Sequence, residues 1–335
     1  MNEFSISVVI PNYNGRALLE EILPSLVKVL LDMSHMHEII VVDDNSTDDS
    51  ISFLKLNYKD IIVSKNERNL GFSCTVNIGI LMAKMDLVFI LNNDVKLIDG
   101  YFDAQLPYFE RQDTFGVNGA VFDWDSEVFQ GGGKIINRHF YKIKANQNYF
   151  IKADTLSPET DYPTMFLSGT NALIDRKKLL LLNGYDDLLS PFYVEDVELS
   201  IRALRMGWKM YYSPSSKCMH QISTTIKKHN KKRKIKRLTS RNKFYLHYIH
   251  LEGFSLFFWY VQTLMEILFR TLMLDTIQLM AFVTFVRTLK QAKISKSNFN
   301  ALMKNNGNFK AGLFSALRTY KNWTMDLIGP NQSLK

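Results

Sequence analysis

The 335-residue sequence predicts an α/β protein in which a mixed, mainly parallel sheet is flanked by helices and followed by a C-terminal amphipathic helical extension. Three observations support this prediction. Short β-branched runs alternate with helical patterns through the first hundred residues, each run ends in polar residues, and the chain beyond Phe244 becomes aromatic and aliphatic. Such alternation is typical of parallel strands joined by crossover helices.

Four strands are predicted in the first hundred residues. Ser5 to Ile10 is the first, and the breaker at residues 11–15 separates it from a helix whose apolar residues recur between Leu18 and Leu30. Pro24 lies inside this helix and should bend it. The other strands are predicted at Glu38 to Val42, Ile61 to Ser64 and Leu87 to Leu91.

The second half of the chain is less regular. Three consecutive glycines at residues 131–133 predict a flexible turn, and residues 137–163 are polar and predicted to be rich in loops. The remaining predicted elements are strands within Phe166 to Ile174 and at Lys209 to Tyr212 and, between them, a helix from Glu195 to Met206 that ends at Gly207.

The formal charge of +8 is confined to one short segment without acids. Without that segment the chain is neutral on balance, so its basicity is a local feature. Nucleic-acid binding would require interleaved aromatic residues or a known module, and the segment has neither, so no nucleic-acid partner is predicted. The eight basic residues are Lys227, Lys228, Lys231, Lys232, Arg233, Lys234, Lys236 and Arg237.

The cysteines and the first residues bear on the cellular location. Cys74 and Cys218 are the only cysteines, which excludes a disulfide framework and a CxxC metal cluster. The opening residues enter an apolar strand without a basic region or a cleavage site, so no signal peptide is expected. Together these features predict a cytoplasmic protein.

The C-terminal stretch raises the question of a membrane. Its longest uncharged runs, residues 253–265 and 276–286, are shorter than the ~20 residues that span a bilayer. In-plane amphipathic helices beside a polybasic segment instead predict reversible docking on an anionic membrane surface, at the inner face of the cell membrane. The alternative is a helical cap over the rest of the protein.

Polar residues follow three of the predicted strands. They are Pro11 to Tyr13, Asp43-Asp44 and Asn92 to Asp94. Because ligands of open α/β sheets bind outside the carboxyl ends of the strands, these residues should converge on one crevice. A carboxylate at the end of a buried strand is costly unless it acts on a metal or a metal-bound phosphate. No GxGxxG or P-loop motif is present.

Glu195 and Asp196 open a predicted helix, where the helix dipole favours ionised acids. Asp196 is therefore expected to remain an anionic base at neutral pH. Acids at this position commonly only stabilise the helix, by ~0.3–1 kcal/mol. Phe192 and Tyr193 just upstream would shape an acceptor pocket, which favours a catalytic pair.

Six motifs together resemble the family 2 glycosyltransferases, in particular their rhamnosyltransferase-like branch, from about residue 5 to residue 245. They are Ser-Val-Val-Ile-Pro-Asn-Tyr-Asn-Gly at 7–15, Val-Val-Asp-Asp-Asn-Ser-Thr-Asp at 41–48, Asn-Leu-Gly-Phe at 69–72, Leu-Asn-Asn-Asp at 91–94, Leu-Ser-Gly-Thr-Asn-Ala at 167–172 and Phe-Tyr-Val-Glu-Asp-Val-Glu-Leu-Ser-Ile-Arg-Ala at 192–203. The resemblance implies a GT-A fold and an inverting transfer from a nucleotide-diphosphate sugar.

The resemblance also implies roles for individual residues. Asp94 would bind a divalent metal, Mg²⁺ or Mn²⁺, on the pyrophosphate, and His220 would lie near that metal or the diphosphate. Asp196 would be the general base, with Glu195 beside it. The residues implied in binding the nucleotide sugar are Pro11, Tyr13, Asp43, Asp44, Asn69, Asn92, Asn93 and Asp94.

One departure concerns the metal. The family pattern often has acids where this chain has Asn92 and Asn93. Asparagine orients a phosphate or ribose but brings no charge to a cation. The departure predicts weaker metal binding and leaves open whether the enzyme depends on a metal.

The predicted domain organisation has three parts. Residues 1–225 form the GT-A domain, with a nucleotide-binding half at about 1–100 and an acceptor half at about 101–225. Residues 226–243 are predicted to be a basic linker. Residues 244–335 are predicted to be helical and membrane-associating.

The sequence predicts transfer of a hexose or deoxyhexose, such as rhamnose, to a hydroxyl of a glycan or lipid-linked acceptor in cell-surface polysaccharide synthesis. Two alternatives remain open. A sugar nucleotidyltransferase of similar fold would normally carry a Gly-rich, basic N-terminal loop, for which the chain offers only Gly15 and Arg16. A non-catalytic membrane-docking module would leave the strand-end acids unexplained.

Overall fold

A computed structural model describes residues 4–33, 35–126, 128–151, 161–221, 231–306 and 312–328. Its strands are β1 (Ile6–Asn12), β2 (His37–Asp43), β3 (Ile62–Lys65), β4 (Leu87–Leu91), β5 (Val95–Leu97), β6 (Thr114–Asp123), β7 (Phe129–Gly131), β8 (Gly133–His139), β9 (Lys142–Tyr149), β10 (Asn171–Asp175) and β11 (Lys209–His220). Its helices are α1 (Arg16–Asp32), α2 (Ser50–Asn57), α3 (Phe72–Met82), α4 (Arg176–Leu181), α5 (Glu195–Arg205), α6 (Lys232–His250), α7 (Gly253–Leu272), α8 (Ile277–Arg287), α9 (Leu289–Asn306) and α10 (Leu313–Ile328).

One large sheet organises the protein, with strand order β3-β2-β1-β4-β10-β6-β11-β5 and β7 paired to β6. The first four strands of this order are mutually parallel, β10 is antiparallel to both of its neighbours, and β11 is parallel to β6. The predicted mixed, mainly parallel sheet flanked by helices is confirmed. Because β1, β2 and β4 point the same way, their polar carboxyl ends lie at one edge.

The first helix packs as its apolar spacing predicts. In α1 the buried face consists of Leu19, Ile22, Leu23, Leu26, Val29 and Leu30, which recur every three or four residues. Pro24 is accommodated inside the helix. On the other face of the sheet α3 lies close to β1, since a Cβ on Gly79 would come within 2.3 Å of Val9 Cγ1. Both sides of the central strands are therefore buried.

The glycine-rich turn and much of the predicted loop region are a hairpin instead. Residues 131 and 133 belong to β7 and β8, and β8 pairs antiparallel with β9 in a separate two-stranded sheet. Close packing requires glycine here, because a Cβ on Gly133 would lie 2.0 Å from the Tyr149 ring. Because the solvent-facing side chains of this hairpin are polar, its sequence has no continuous apolar run that would predict strands. Residues 152–160 lie outside the described part.

The predicted basic linker is also different in the structure. Residues 226–230 lie outside the described part, but from Lys232 onward the chain is the 19-residue helix α6. Lysine and arginine are good helix formers, and the C-terminal half of α6 buries Phe244 and Tyr245. The N-terminal half of α6 carries its basic side chains in solvent.

The C-terminal region is helical, as predicted, and its last helix packs on the sheet domain. In α10 the buried Tyr320 hydroxyl accepts a hydrogen bond from Met210 N and donates one to Met210 O, both at 2.6 Å. Part of this region is therefore a cap over the domain, which was the alternative to membrane contact. Among the described residues, the structure has no helix long and apolar enough to cross a bilayer.

Candidate active site

A cavity of about 570 Å³ opens at the carboxyl ends of β1 and β4 and is closed on its far side by the start of α5. We call the part next to β1 and β2 the β1–β2 end and the part next to β4, β11 and α5 the α5 end. The structure brings together nearly every predicted site residue here. Those that line the cavity are Pro11, Tyr13, Asp44, Asn69, Asn92, Asn93, Asp94, Glu195, Asp196 and His220.

Asp43 is the predicted site residue that does not line the cavity. Its carboxylate is fully buried and accepts hydrogen bonds from Asn12 Nδ2 at 3.0 Å and Ser46 N at 2.8 Å. Asn12 in turn accepts from Asn93 Nδ2 at 2.8 Å. Asp43 therefore holds the ends of β1 and β2 together. Asn12, which lies within the predicted segment Pro11 to Tyr13 and lines the cavity, connects Asp43 to Asn93.

Asp44 fixes the rim of the cavity. Its two oxygens accept hydrogen bonds from Asn66 Nδ2 at 2.9 Å, Leu70 N at 2.7 Å and Gly71 N at 2.9 Å. Gly71 has φ +85°, and a Cβ there would lie 2.5 Å from Pro191 Cα. The carboxylate thus orders the segment that begins at Asn69 and presses it against the acceptor half of the domain.

At the α5 end, Asp94 faces His220. Asp94 Oδ1 is buried without a hydrogen-bond partner in the described part of the chain, and His220 Nε2 lies 3.5 Å from it. Burial raises the pKa of Asp94 to about 7 and lowers the pKa of His220. An orphaned carboxylate oxygen beside an imidazole nitrogen is an arrangement that a divalent cation would satisfy.

The orientation of His220 is set by Gln130 on β7. Gln130 Nε2 donates to Asp123 Oδ2 at 2.9 Å and to His220 O at 3.1 Å, which turns its amide oxygen toward His220 Nδ1 at 2.9 Å. Nδ1 therefore carries the proton, and Nε2 presents a lone pair toward Asp94.

The donor set fits a metal that also binds the substrate. Within the described ranges, no group of three His, Cys, Asp or Glu side chains is placed to hold an ion. Mg²⁺ and Mn²⁺ commonly take only one or two protein ligands when phosphate oxygens complete their shell. Asp94 and His220 suit that role. Asn93 brings no charge to a cation, and its Nδ2 donates to Asn12.

Glu195 and Asp196 begin α5 after two residues in the left-handed region, Tyr193 at φ +73° and Val194 at φ +79°. Such a conformation is strained for a β-branched residue and is concentrated at functional sites. Asp196 Oδ1 accepts from Val197 N at 2.8 Å, whereas Glu195 Oε2 is buried with no partner among the described residues.

The two carboxyl groups are less acidic than the helix dipole alone predicts. Burial, followed by the charge of Asp196, raises the pKa of Glu195 to about 8. Burial also raises the pKa of Asp196. Desolvation of a carboxylate outweighs the dipole here, because the dipole contributes only ~0.3–1 kcal/mol.

Lys134 on β8 is a charged neighbour of the pair that sequence reasoning missed. Its charge opposes the rise in the pKa of Asp196, while its own burial lowers the pKa of Lys134 to about 8. The ammonium lies 5.9 Å from the centroid of the Phe166 ring and forms no ion pair within the described ranges. No sequence signal pointed to it, since the hairpin that carries it was predicted to be loop.

Asn242 on α6 holds the strained loop before Glu195. It is fully buried, and its Nδ2 donates to Phe192 O at 3.1 Å and to Tyr193 O at 2.8 Å. The neighbouring Arg241 guanidinium donates to Ser190 O. Sequence reasoning missed both residues because they lie in the predicted linker. Lys234, one of the eight basic residues, also lines the cavity.

The solved structures that resemble this chain are sugar-transferring enzymes. GalNAc-T7 with UDP, GalNAc and Mn²⁺ matches with a TM-score of 0.58 and 20% identity over 73% of this chain and 48% of its own, so this chain spans about half of that protein. The mannosyltransferase PcManGT from Pyrobaculum calidifontis, in complex with GDP-Man and Mn²⁺, matches with a TM-score of 0.50 and 14% identity over 98% of this chain and 85% of its own.

The fold is therefore the GT-A fold, as predicted. Residues 7–180 match the sequence profile of Glycosyl transferase family 2, and the chain belongs to that family. The N-acetylglucosaminyl-diphospho-decaprenol L-rhamnosyltransferase of Mycobacterium tuberculosis is 26% identical over 64% of this chain and 75% of its own length. The rhamnosyltransferase-like resemblance is confirmed, and a glycosyltransferase is favoured over both alternatives.

Proposed function

We propose that the enzyme moves a hexose or deoxyhexose, such as rhamnose, from a nucleotide-diphosphate sugar to a hydroxyl of a glycan or lipid-linked acceptor in cell-surface polysaccharide synthesis. The observation that carries the proposal is that Asp94 and His220 line the same cavity as Glu195 and Asp196. The rhamnosyltransferase of M. tuberculosis supports this choice of sugar and acceptor class.

The donor would lie along the polar strand ends. Its base and ribose would occupy the β1–β2 end beside Pro11, Tyr13 and Asp44, which places the diphosphate near Asn92 and Asp94. A divalent metal held by Asp94 and His220 would supply positive charge to the diphosphate. Asn69, at the rim ordered by Asp44, would contact the nucleotide from the other side.

Asp196 would act as general base in a single displacement. It accepts the proton of the acceptor hydroxyl, whose oxygen forms a bond to the anomeric carbon while the bond from that carbon to the diphosphate oxygen breaks. Attack opposite the leaving group inverts the configuration, and the proton remains on Asp196 until it passes to water. Glu195 provides a second carboxyl group beside Asp196. The charge of Lys134 opposes the rise that burial causes in the pKa of Asp196.

A panel of nucleotide-diphosphate sugars tests the donor class. Thermal shift and slow hydrolysis, each measured with Mg²⁺ and with Mn²⁺, should single out one base and one sugar. If no sugar nucleotide raises the melting temperature or is hydrolysed, the proposal is wrong.

The metal dependence has its own test. Asp94→Ala should weaken binding of the chosen nucleoside diphosphate by about tenfold or more with Mn²⁺ present and have little effect in chelator, because a hard cation would lose its one protein carboxylate. Isothermal titration calorimetry measures both conditions. An equal loss in both would show that Asp94 acts on the sugar or ribose and that no metal is needed.

We also propose that the protein is cytoplasmic and peripheral on the inner face of the cell membrane. Large apolar side chains of α7 and α8 are exposed to solvent, and the basic half of α6 lies in the same region. Cell fractionation tests this location. The protein should sediment with membranes and be released in part by high salt, since salt screens only the electrostatic part. Recovery entirely in the supernatant at low salt would contradict it.

A further inference from the structure

Helix α7 leaves most of its apolar surface uncovered. Its buried side chains are Trp259, Thr263 and Ile267, four residues apart and thus a single narrow stripe. A helix that is apolar on nearly all sides normally lies inside a protein or a membrane. The large exposed apolar residues from α7 to the start of α8 are Phe254, Phe257, Phe258, Val261, Leu264, Met265, Leu268, Phe269, Leu272, Met273 and Leu274.

The connection between α7 and α8 carries the most exposed of these side chains. Leu274 is 90% exposed and has φ +62°, a conformation that Asn or Gly adopts more readily than Leu. Both the exposure and the backbone conformation disfavour leucine in water. A loop tip with these properties suits insertion into an apolar phase.

Basic side chains of α6 border this loop. A surface depression of about 470 Å³ is lined by Lys232, Arg233 and Lys236 on one side and by Met273, Leu274 and Ile277 on the other. Arg233 Nη2 donates to Thr276 Oγ1 at 3.2 Å, which fixes one cation at the loop. Cations beside an apolar floor match an anionic phospholipid, whose phosphate is followed by acyl chains.

Asp275, the acidic residue that lines the depression, does not neutralise the positive charge of the depression. Asp275 accepts hydrogen bonds from Arg270 Nη1 on α7 at 3.3 Å and from Ile277 N, at the start of α8, at 3.2 Å, so it is paired away from the cations of α6. Its negative charge leaves the three cations of α6 in excess. The depression therefore keeps a positive charge.

We propose that α7, the α7–α8 loop and the first two turns of α6 form one docking surface for anionic phospholipid, which holds the mouth of the catalytic cavity against the membrane. Lys234 lines the cavity, whereas Lys232 and Lys236 lie nearly on the opposite face of α6 and line the depression, so this part of α6 separates the two. The proposal rests on the proposed function in one respect: an acceptor carried in the membrane would enter the cavity across this part of α6.

Charge favours lipid over a second copy of the chain as the occupant. A two-fold contact centred on the depression would bring six cations together from two copies of Lys232, Arg233 and Lys236. Like charges that face each other across an interface are strongly unfavourable. An anionic bilayer presents the complementary charge.

Vesicle flotation of the full-length protein tests the proposal. Wild type should float with vesicles of equal parts phosphatidylglycerol and phosphatidylcholine and only weakly with phosphatidylcholine alone. Replacing Lys232, Arg233 and Lys236 together with Ala should weaken binding by about a hundredfold at low salt and much less at high salt. Leu274→Asp should weaken binding at both salt concentrations.

Matched controls lie on α2, on β3 and between them, a different part of the surface. Lys55, Lys59 and Lys65 are exposed and can be replaced together with Ala, and Leu56, 77% exposed, can be changed to Asp. These variants should float like wild type. Equal losses in test and control variants would overturn the proposal, as would a wild type that ignores anionic vesicles.

Two further measurements separate the possible failures. Light scattering shows whether the three-residue variant of α6 breaks a dimer, which would assign the surface to a second copy. Calorimetry with UDP, GDP and dTDP in Mn²⁺ tests the catalytic cavity independently. Retained nucleotide binding without flotation would overturn only the docking surface, and flotation without nucleotide binding would overturn only the proposed function.

Discussion

At the β1–β2 end of the cavity all four carboxylate oxygens of Asp43 and Asp44 accept hydrogen bonds, whereas at the α5 end Asp94 Oδ1 and Glu195 Oε2 are buried without a partner in the described part. The first arrangement stabilises the empty protein and fixes a binding surface in advance. The second destabilises the empty protein, because desolvated carboxyl groups gain partners only when ligands arrive. Removal of a carboxylate charge should therefore lower the stability of the fold at the β1–β2 end and raise it at the α5 end.

The largest effect is expected from Asp196→Asn at the α5 end. The amide keeps the shape and accepts no proton, so kcat should fall by ~10²–10⁴-fold while binding of the nucleoside diphosphate persists. A transfer assay and calorimetry measure the two quantities. Glu195→Gln is the matched variant and should reduce kcat less. The reverse ranking would exchange the roles of the two acids. Wild-type rates for both variants would show that the acids only stabilise the start of α5.

At the β1–β2 end, Asp44→Ala should lower the free energy of unfolding by about 2–4 kcal/mol, because two buried donors and one part-buried donor lose a charged acceptor. Nucleotide binding should weaken as well, since the rim at Asn69 is no longer ordered. Urea unfolding and calorimetry measure these changes. Asp44→Asn, which keeps one acceptor oxygen, should lie between wild type and Ala. An unchanged stability would show that the hydrogen bonds at this end contribute nothing net.

Glu195→Gln should change stability in the opposite direction to Asp44→Ala and stabilise the protein. The folded-state pKa of Glu195, about 8, lies above the ordinary 4.5, so burial of this group destabilises the fold progressively as pH rises from 4.5 to 8. The melting temperature of the variant should therefore exceed that of wild type more at pH 8 than at pH 5. The exposed Glu67 provides the control, Glu67→Gln. A variant that is less stable at pH 8 would contradict the comparison.

The smallest effect is expected from Lys134→Met. Removal of a positive charge near Asp196 raises the pKa of that carboxyl further, so a smaller fraction is ionised at a given pH. The acid limb of the pH profile of kcat/KM should move to higher pH, with little change on the plateau above it. Lys134→Arg, which keeps the charge, should restore the wild-type limb. A uniform loss at all pH values would indicate a structural role instead.

The sequence predicts the β1–β2 end well, because buried parallel strands are continuous apolar runs and their polar ends stand out. That contrast predicts Asp44 at this end and also Asp94 at the α5 end. The contrast does not separate Asp43 from Asp44, because only the geometry at the end of β2 shows that Asp43 faces Asn12 and not the cavity.

The α5 end was predicted only in part, for reasons of distance along the chain. Lys134 acts on a carboxyl group 62 positions later, and Asn242 holds carbonyls about 50 positions earlier. Neither pairing leaves a local pattern. Both residues also lie in polar segments whose secondary structure depends on tertiary packing, β8 against β9 and α6 against α8.

The contact of Tyr320 with Met210 has a consequence for how the protein is made. During synthesis the N-terminal strands leave the ribosome first. The backbone N–H of Met210, at the start of β11, nevertheless donates to a hydroxyl made 110 residues later, whereas Met210 O also accepts from Thr164 N at 2.9 Å. The Met210 end of β11 therefore gains this hydrogen bond only after Tyr320 has been made. A chain that stops before Tyr320 would contain Glu195 and Asp196 but leave the buried Met210 N–H without this acceptor, which should make it less stable.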